Sequence, residues 1–169
     1  MIPLVGLLLS VTDIRSSHDL GKIQGRCRAG ESGPAFLVRV EGLKDRRGLL
    51  KLELYPANDS DFLADDDILL RAGKAFARVE IPVPQSGPVE LCIRAPRPGR
   101  YGLSLLHDRD SNHKFSLTVD GAGFSDNPKL GWFKPKAAAV AMRVGDSPVH
   151  LRIIMNYHHG LMSFGPVAG

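Results

Sequence analysis

Histidine and oxygen-bearing side chains are concentrated between Leu105 and Pro128, directly after a hydrophobic strand. Asp108, Asp110 and Asn112 stand at alternate positions in this stretch, and Asp120 follows them. Short oxygen-bearing side chains at the first, third and fifth positions of a loop can converge on one Ca²⁺ ion. The spacing therefore predicts, as one alternative, a Ca²⁺ site formed by these four residues.

Two positions of this loop depart from a complete Ca²⁺ loop. His113 stands where a glycine makes the sharp turn, and Val119 stands where a bidentate glutamate is expected. A cation that takes about six to eight oxygens is also incompletely surrounded unless Asp120 or Asp126 folds back. The metal site is therefore an alternative to the favoured interpretation given below.

Catalysis is a second alternative, because His107, Asp108, Ser125 and Asp126 are residue types found in hydrolytic sites. Such a site needs its nucleophile, base and orienting group within hydrogen-bond reach of one another. Adjacent strand residues point to opposite faces, so His107 and Asp108 cannot form one dyad in a regular strand. The sequence also lacks a Gly-x-Ser-x-Gly nucleophile elbow. A hydrolase is therefore less favoured, and no residue is assigned as catalytic.

A structural role is the favoured interpretation of both polar segments. Asp, Asn and Ser side chains hydrogen-bond to the backbone of their own loop and so fix long turns. On this interpretation the ring of His107 bonds to a loop carbonyl, and Phe124 plugs the open end of the domain. Rigid loops on a scaffold are also where binding proteins carry their recognition surfaces. The expected working surface comprises residues 108–112 together with Gly123, Phe124, Ser125, Asp126 and Asn127.

Short segments that alternate apolar and polar residues must position these loops. Turn residues separate the segments, which is typical of antiparallel sheets. Between two of them, residues 59–72 are interpreted as a loop with one helical turn. The predicted fold class is all-β, an antiparallel β-sandwich of about seven strands. The segments begin at Phe36, Leu50, Ala75, Val89, Tyr101, Ala137 and Val149.

The composition indicates one domain with an ordinary core. The 169 residues are 43% hydrophobic and 24% charged, with a net charge of +4. Residues 34–158 are assigned to the sandwich, 1–33 to an apolar segment with a polar tail, and 159–169 to a C-terminal tail. Basic residues are mixed with acidic ones, without the aromatic-plus-basic platform of a nucleic-acid-binding protein. Nucleic acid is therefore not an expected partner.

The apolar run at residues 1–11 has the size of the hydrophobic part of a secretory leader. It is too short to span a bilayer, and it lacks a basic flank and an Ala-x-Ala-like cleavage site. Two interpretations stay open, a leader whose true start lies upstream and a hydrophobic remnant. Export is favoured because of the cysteines.

Two cysteines, Cys27 and Cys92, lie far apart and lack the spacing of a metal or redox site. Val89, Leu91 and Ile93 alternate towards the interior, which places the Cys92 thiol on the polar face of its strand. Because an outward thiol is a liability unless it is paired, a Cys27–Cys92 disulfide is predicted, with two unrelated thiols as the alternative. The disulfide would indicate an oxidising compartment.

The single tryptophan, Trp132, is followed by Phe133 and by Lys134 and Lys136. This segment has two interpretations. It is either an exposed patch that contacts a sugar or an anion, or a place where the indole covers the edge of the sandwich while the lysines stay in solvent. The second interpretation is favoured.

The motifs also follow one another in a characteristic order. Gly42-Leu43 precedes the strand Gly99–Asp108, which is followed by Asp110-x-Asn112, by the Gly123–Asn127 loop and by a strand ending in Asn156-Tyr157. From about residue 34 to 157, this order resembles the bacterial family known as domain of unknown function 2141. The chain departs from the family pattern at His113 and Ser116, where members commonly carry a glycine and an acidic residue.

The resemblance implies an exported, periplasmic protein with a transthyretin-like or prealbumin-like sandwich, and it implies no activity. The predicted function is a non-catalytic binding or structural module of the cell envelope. Its partner would be an envelope component or a small ligand, with neither a transmembrane span nor a cofactor expected. A Ca²⁺-stabilised domain is the alternative.

Overall fold

The computed structural model describes residues 14–161 and 163–167. The apolar run at residues 1–11 lies outside the described residues. In chain order the elements are α1 (Lys22–Gly25), β1 (Ala35–Glu41), β2 (Leu49–Pro56), α2 (Asp66–Arg71), β3 (Ala77–Pro82), β4 (Val89–Arg94), β5 (Gly99–Asp108), β6 (Gly121–Phe124), α3 (Ala137–Val140), β7 (Ala141–Val144), β8 (Val149–Ile154), β9 (Asn156–His159) and β10 (Ser163–Pro166).

The strands form two sheets. The smaller sheet has the order β4-β1-β8, and the larger has the order β10-β9-β6-β5-β2-β3 with β7 paired to β5. All pairings are antiparallel except β1 with β8, which run parallel with Val38 opposite Leu151. The fold is therefore mostly β and sandwich-like, as predicted, with more strands than the sequence indicated.

Strict alternation along the strands builds the core between the sheets. Leu50, Leu52 and Leu54 of β2 point inward and share one buried cluster with Phe36 and Val38 of β1. Because successive strand residues point to opposite faces, Lys51, Glu53 and Tyr55 lie on the outer face of the larger sheet. That outer face is the part of the fold that bears on function.

A second, smaller core covers one end of this outer face. It consists of Tyr55, Phe62, Leu69, Phe76, Ala137 and Val140, contributed by the strands, by the segment around α2 and by α3. The ring of Phe62 lies directly on β5, where a Cβ at Gly102 would come within 2.8 Å of it. The segment predicted as a loop with one helical turn thus supplies a lid of apolar side chains.

Four segments differ from the sequence-based expectation. The predicted strand 137–144 begins with the helix α3, because three consecutive alanines favour helix, and becomes β7 only at Ala141. The predicted strand 149–157 is two strands in different sheets, since the chain passes from one sheet to the other at the buried Met155. The loop predicted at residues 123–127 begins within β6, and the segment assigned to a C-terminal tail contains β10.

The segment before β1 forms an arm that contacts both sheets. Gly21 accepts a hydrogen bond from the Arg78 N–H of β3, with 2.9 Å between N and O. Arg26 pairs as an isolated bridge with Ile93 of β4. The predicted disulfide between Cys27 and Cys92 is present, with 6.0 Å between the two Cα atoms. No described helix is both long and apolar enough to cross a bilayer.

Candidate functional site

His107 is fully buried at the end of β5, between the two sheets. Its Nε2 lies 2.8 Å from the carbonyl oxygen of Arg47, and its Nδ1 lies 2.6 Å from the hydroxyl of Tyr157. A carbonyl only accepts, so Nε2 carries the proton and Nδ1 accepts from Tyr157. The tyrosine oxygen in turn accepts from the Lys44 N–H. The ring bond to a loop carbonyl that the sequence predicted is therefore present.

The surroundings keep this histidine neutral. Burial lowers the pKa of His107, against the opposing effects of the Arg47 carbonyl and of the Asp45 carboxylate. Burial also raises the pKa of Tyr157 to about 12. Since both ring nitrogens are occupied and the ring is buried, His107 has no free lone pair to offer a substrate. Its geometry is that of a structural hydrogen-bonded residue.

The Asp108–Asn112 segment bonds mainly to its own backbone. Asp108 accepts from the N–H groups of Asn112 and His113, at 3.2 and 2.8 Å. Asp120 accepts from Arg109 and Ser116, at 2.9 and 2.7 Å. Asp110 bonds to the N–H and the side-chain amide of Asn112, whose own oxygen accepts from Lys114. These bonds fix the turn that follows β5 and leads to Phe115.

The same carboxylates also approach one another. Asp108, Asp110 and Asp120 each have an oxygen within 4.8 Å of the others, whereas Asn112 is turned towards the loop backbone. Burial is the main reason that the pKa of Asp108 is raised, and the nearby Asp120 charge adds to it, while backbone N–H groups act against it. His113 has a φ of +63°, so it adopts the backbone conformation that glycine favours at this position. Among the described residues, these three carboxylates form a group close enough together to contact one cation.

The second predicted loop begins as β6 and is anchored by two side chains. Ser125 is buried, accepts from the Leu103 N–H at 2.9 Å and donates to the Val140 carbonyl. Asn127 bonds in both directions to β8, at the Ile154 N–H and the Arg152 carbonyl. Asp126 is exposed with a φ of +61°, which marks the turn.

Gly123 is required by a close approach of two strands. A Cβ at this position would come within 2.5 Å of the Ile153 side chain and 2.9 Å of the Ile154 carbonyl. The next residue, Phe124, does not plug the end of the sandwich. It points to the outer face of the larger sheet and packs edge-on against Phe62, with 6.0 Å between ring centroids.

A groove that the sequence did not predict runs along this outer face. Its cavity volume is about 400 Å³, within the usual range for small-molecule sites. The floor comes from β2, β5 and β6, and loops on both sides form the walls. The lining is mainly apolar and aromatic, with Leu106, Phe115, Ala122, Phe124, Trp132, Phe133 and Phe164 among its residues.

The expectation that Trp132 covers the edge of the sandwich is wrong. Its side chain is 71% exposed, and that of Phe133 is 89% exposed, on one wall of the groove. The loop that carries them is held in place, because the Lys134 ammonium donates to the Phe62 carbonyl at 2.7 Å. The Ala137 N–H donates to the Asp59 carboxylate at 2.8 Å. Large aromatic groups fixed in an exposed position are a feature of binding surfaces.

A buried ion network connects the floor of the groove to the smaller core, since Glu53 lines the groove and Tyr55 belongs to the smaller core. Arg78 contacts Glu53 at 2.6 Å and Asp66 at 3.1 Å, and all three side chains are buried. The second oxygen of Glu53 accepts from the Tyr55 hydroxyl at 2.7 Å. Burial acts to lower the pKa of Arg78, but the two carboxylates outweigh it and raise that pKa. The network keeps the arginine charged and occupies both oxygens of Glu53.

One signal in the sequence could have revealed the groove. On β5 the outward row is expected to be polar, yet it contains Leu106, and the outward row of β6 consists of Ala122 and Phe124. Apolar residues on the outward rows of adjacent strands indicate a face that something covers. The loop predicted at residues 123–127 hides this signal, because two outward rows are recognised as neighbours only when both segments are strands.

Of three comparisons with known proteins, one gave a match, and it agrees with the family that the sequence pattern resembles. Neither the curated proteins nor the solved structures gave a match. A family model described as an uncharacterized protein conserved in bacteria, DUF2141, matches residues 38–152. The matched region runs from β1 into β8 and includes the strands that form the floor of the groove. The chain belongs to this bacterial family of uncharacterised proteins.

Proposed function

We propose that this protein is a non-catalytic binding module of the bacterial cell envelope, and that the aromatic groove on the larger sheet is its binding surface. The observation that carries the proposal is the groove itself. A cavity of about 400 Å³ lies on a sheet face that the smaller core covers at one end, and aromatic side chains stand exposed on its walls. Exposed aromatic groups of this kind lower the free energy of a bound apolar ligand when both leave water.

The loops predicted from the sequence have a positioning role in this proposal. Asp108 and Asp120 hold the turn that leads to Phe115, and Ser125 anchors the end of β6 next to Phe124. A preformed groove loses less conformational entropy on binding than a flexible one. His107 is neutral and both of its ring nitrogens are hydrogen-bonded, which supports a binding role without catalysis.

Export to the periplasm is part of the proposal. The Cys27–Cys92 disulfide supports it, because such bonds persist in oxidising compartments. The transthyretin-like classification is likewise proposed, and the packing of two antiparallel-rich sheets around one core supports it.

A neutral fluorescent probe tests the groove. N-phenyl-1-naphthylamine should gain fluorescence on binding to the wild-type protein. Ala122→Phe, which fills the floor, should abolish most of this gain. Ala139→Phe is the matched control, because Ala139 is exposed outside the groove. Equal probe binding by wild type and Ala122→Phe would rule out the groove as the binding surface.

A Ca²⁺-stabilised domain is the second candidate, favoured by the approach of Asp108, Asp110 and Asp120 within 4.8 Å. A bound Ca²⁺ would replace repulsion between these carboxylates with attraction and raise the melting temperature. The test is thermal unfolding with millimolar Ca²⁺, with the wild type compared with Asp110→Asn. If Ca²⁺ does not raise the wild-type melting temperature, or raises that of the variant equally, this candidate is excluded.

A further inference from the structure

Lys51 is a charged residue of the groove lining whose ammonium lacks hydrogen-bond partners among the described residues. It points from β2 to the outer face, lines the groove, and is 14% exposed. Its ammonium lies 3.7 Å from Glu53 Oε1, which is an ion pair but not a hydrogen bond. Among residues 14–161 and 163–167, no hydrogen bond to this ammonium is formed. The ammonium thus has three donors without a hydrogen-bonded protein acceptor at the edge of the cavity.

The one carboxylate of the groove lining belongs to Glu53, and Arg78 lies closer to it than Lys51 does. Both oxygens of Glu53 are hydrogen-bonded, one to Arg78 and the other to the Tyr55 hydroxyl. The other charged residue of the lining is Lys134, whose ammonium bonds to two neutral carbonyls. The charged residues of the lining are two cations, Lys51 and Lys134, and one anion, Glu53, so the groove keeps one excess positive charge above an apolar floor. Its charge is therefore complementary to an anion.

The cavity is also extended. A second cavity of about 320 Å³ adjoins the groove, and the two share Phe124, Leu130 and Phe164 in their linings. An extended apolar chain would contact these side chains along its length. Its polar end would then lie on the part of the floor that carries Lys51.

We propose that the groove binds a fatty carboxylate, with the carboxylate on Lys51 and the acyl chain along the aromatic walls. The inference rests on the proposed function, because it requires the groove to be a binding surface. A single ammonium matches the single charge of a carboxylate. A phosphate group has about twice that charge, and the planar fork of arginine, which the floor lacks, is the usual bidentate partner of such groups.

The test uses decanoate and its neutral counterpart, 1-decanol, with the fluorescence of Trp132, the single tryptophan, as the reporter. Lys51→Met keeps the length and apolar character of the side chain and removes the charge. It should weaken decanoate binding by about tenfold, the size expected for a lost charged hydrogen bond, and leave decanol binding unchanged. Lys51→Arg should retain most of the decanoate affinity. Lys44→Met, outside both cavities, is the matched control, and melting curves verify that each variant folds.

The possible results separate this inference from the function on which it rests. If decanoate and decanol bind equally, or Lys51→Met does not weaken decanoate, the carboxylate assignment is overturned while the groove stands. If neither compound binds but the protein sediments with phosphatidylglycerol vesicles, the exposed aromatic and basic residues serve a membrane surface, and a free carboxylate is not the ligand. If no apolar compound binds, including the neutral probe, both proposals fail.

Discussion

The outer faces of the two sheets both carry cross-strand arginine–glutamate pairs, in different surroundings. On the smaller sheet, Arg39 of β1 meets Glu90 of β4 at 3.0 Å, with side chains 56% and 65% exposed. On the larger sheet, Arg78 of β3 meets Glu53 of β2 at 2.6 Å, with 7% and 8% exposed. Additional segments cover the second pair, whereas the first pair stands in solvent.

Cavity size alone does not distinguish the two faces. The depression on the smaller sheet has a volume of about 580 Å³, larger than that of the groove, but charged residues such as Glu41 and Arg152 line it and pair with one another. On the larger sheet, apolar walls surround an ammonium that lacks a close acceptor. The two faces therefore differ in the chemistry of their linings, and this chemistry, not the volume, favours the groove as the binding surface.

The largest expected effect comes from removing one member of the buried pair. Arg78→Met leaves Glu53 and Asp66 as buried charges without their cation, which should lower the free energy of unfolding by about 3–5 kcal/mol. Arg39→Met removes the equivalent exposed partner and should cost about 0–1 kcal/mol. Urea unfolding of both variants measures the difference. Equal losses would contradict the distinction between the two faces.

The disulfide is the strong constraint on the smaller sheet. It attaches Cys27 to the outward side of β4, and its loss, in the double variant Cys27→Ser with Cys92→Ser, should cost about 2–4 kcal/mol. Urea unfolding of the wild type and of the double variant, each with and without a reductant, measures this loss. If reductant lowers the stability of the double variant as much as that of the wild type, the loss does not come from this bond.

The pH dependence of stability should reveal the buried His107. The pKa of His107 is lowered in the folded chain, so the unfolded chain takes up its proton first as the pH falls through about 6.5. This contribution to stability is fully present above that pH and is lost as the pH falls towards the lower, folded pKa. His107→Gln should flatten the slope by at most about 1.4 kcal/mol per pH unit. Urea unfolding of the wild type and of His107→Gln at several pH values measures the slope, and an equal slope in both would contradict this contribution of His107.

The smallest change in stability is expected at the exposed aromatic wall. Phe133→Ser should alter the free energy of unfolding by less than about 0.5 kcal/mol, because little area is buried there. It should nevertheless weaken binding of the neutral probe. Leu161→Ser, at a similarly exposed residue outside the groove, should change neither quantity. A large loss of stability in Phe133→Ser would show that this ring supports the fold.

Local patterns predicted the strands whose two faces differ, and they failed where tertiary contacts decide. Leu50, Leu52 and Leu54 alternate with polar residues, and β2 was recognised. The outward face of β4 likewise predicted the pairing of Cys92. Residues 121–124, by contrast, contain two glycines, whose absence of side chains allows close approach to Tyr157 and Ile153. Glycine weakens a strand signal, so β6 was missed.

The candidate site likewise has one part that local sequence patterns predict and one part that only tertiary contacts create. Sequence spacing identified the oxygen-rich loop after β5, because its hydrogen bonds are local. The groove combines residues as distant in the chain as Lys51, Ala122 and Phe164, and no local pattern connects them. The sequence predicts that Trp132 covers the sandwich edge, because tryptophan side chains are usually largely buried. Here the anchoring of its loop by Lys134 keeps it in solvent.

The arm before β1 has a consequence for how the protein behaves before it is oxidised. β3 and β4 are edge strands of their sheets, and the arm bonds to one at Arg78 and to the other at Ile93. Uncovered strand edges pair with those of other molecules and seed aggregation. The Cys27–Cys92 disulfide therefore holds the arm against the edges of both sheets. Chains that accumulate in a reducing environment should accordingly aggregate through the β3–β4 side of the sandwich, and oxidation should protect them.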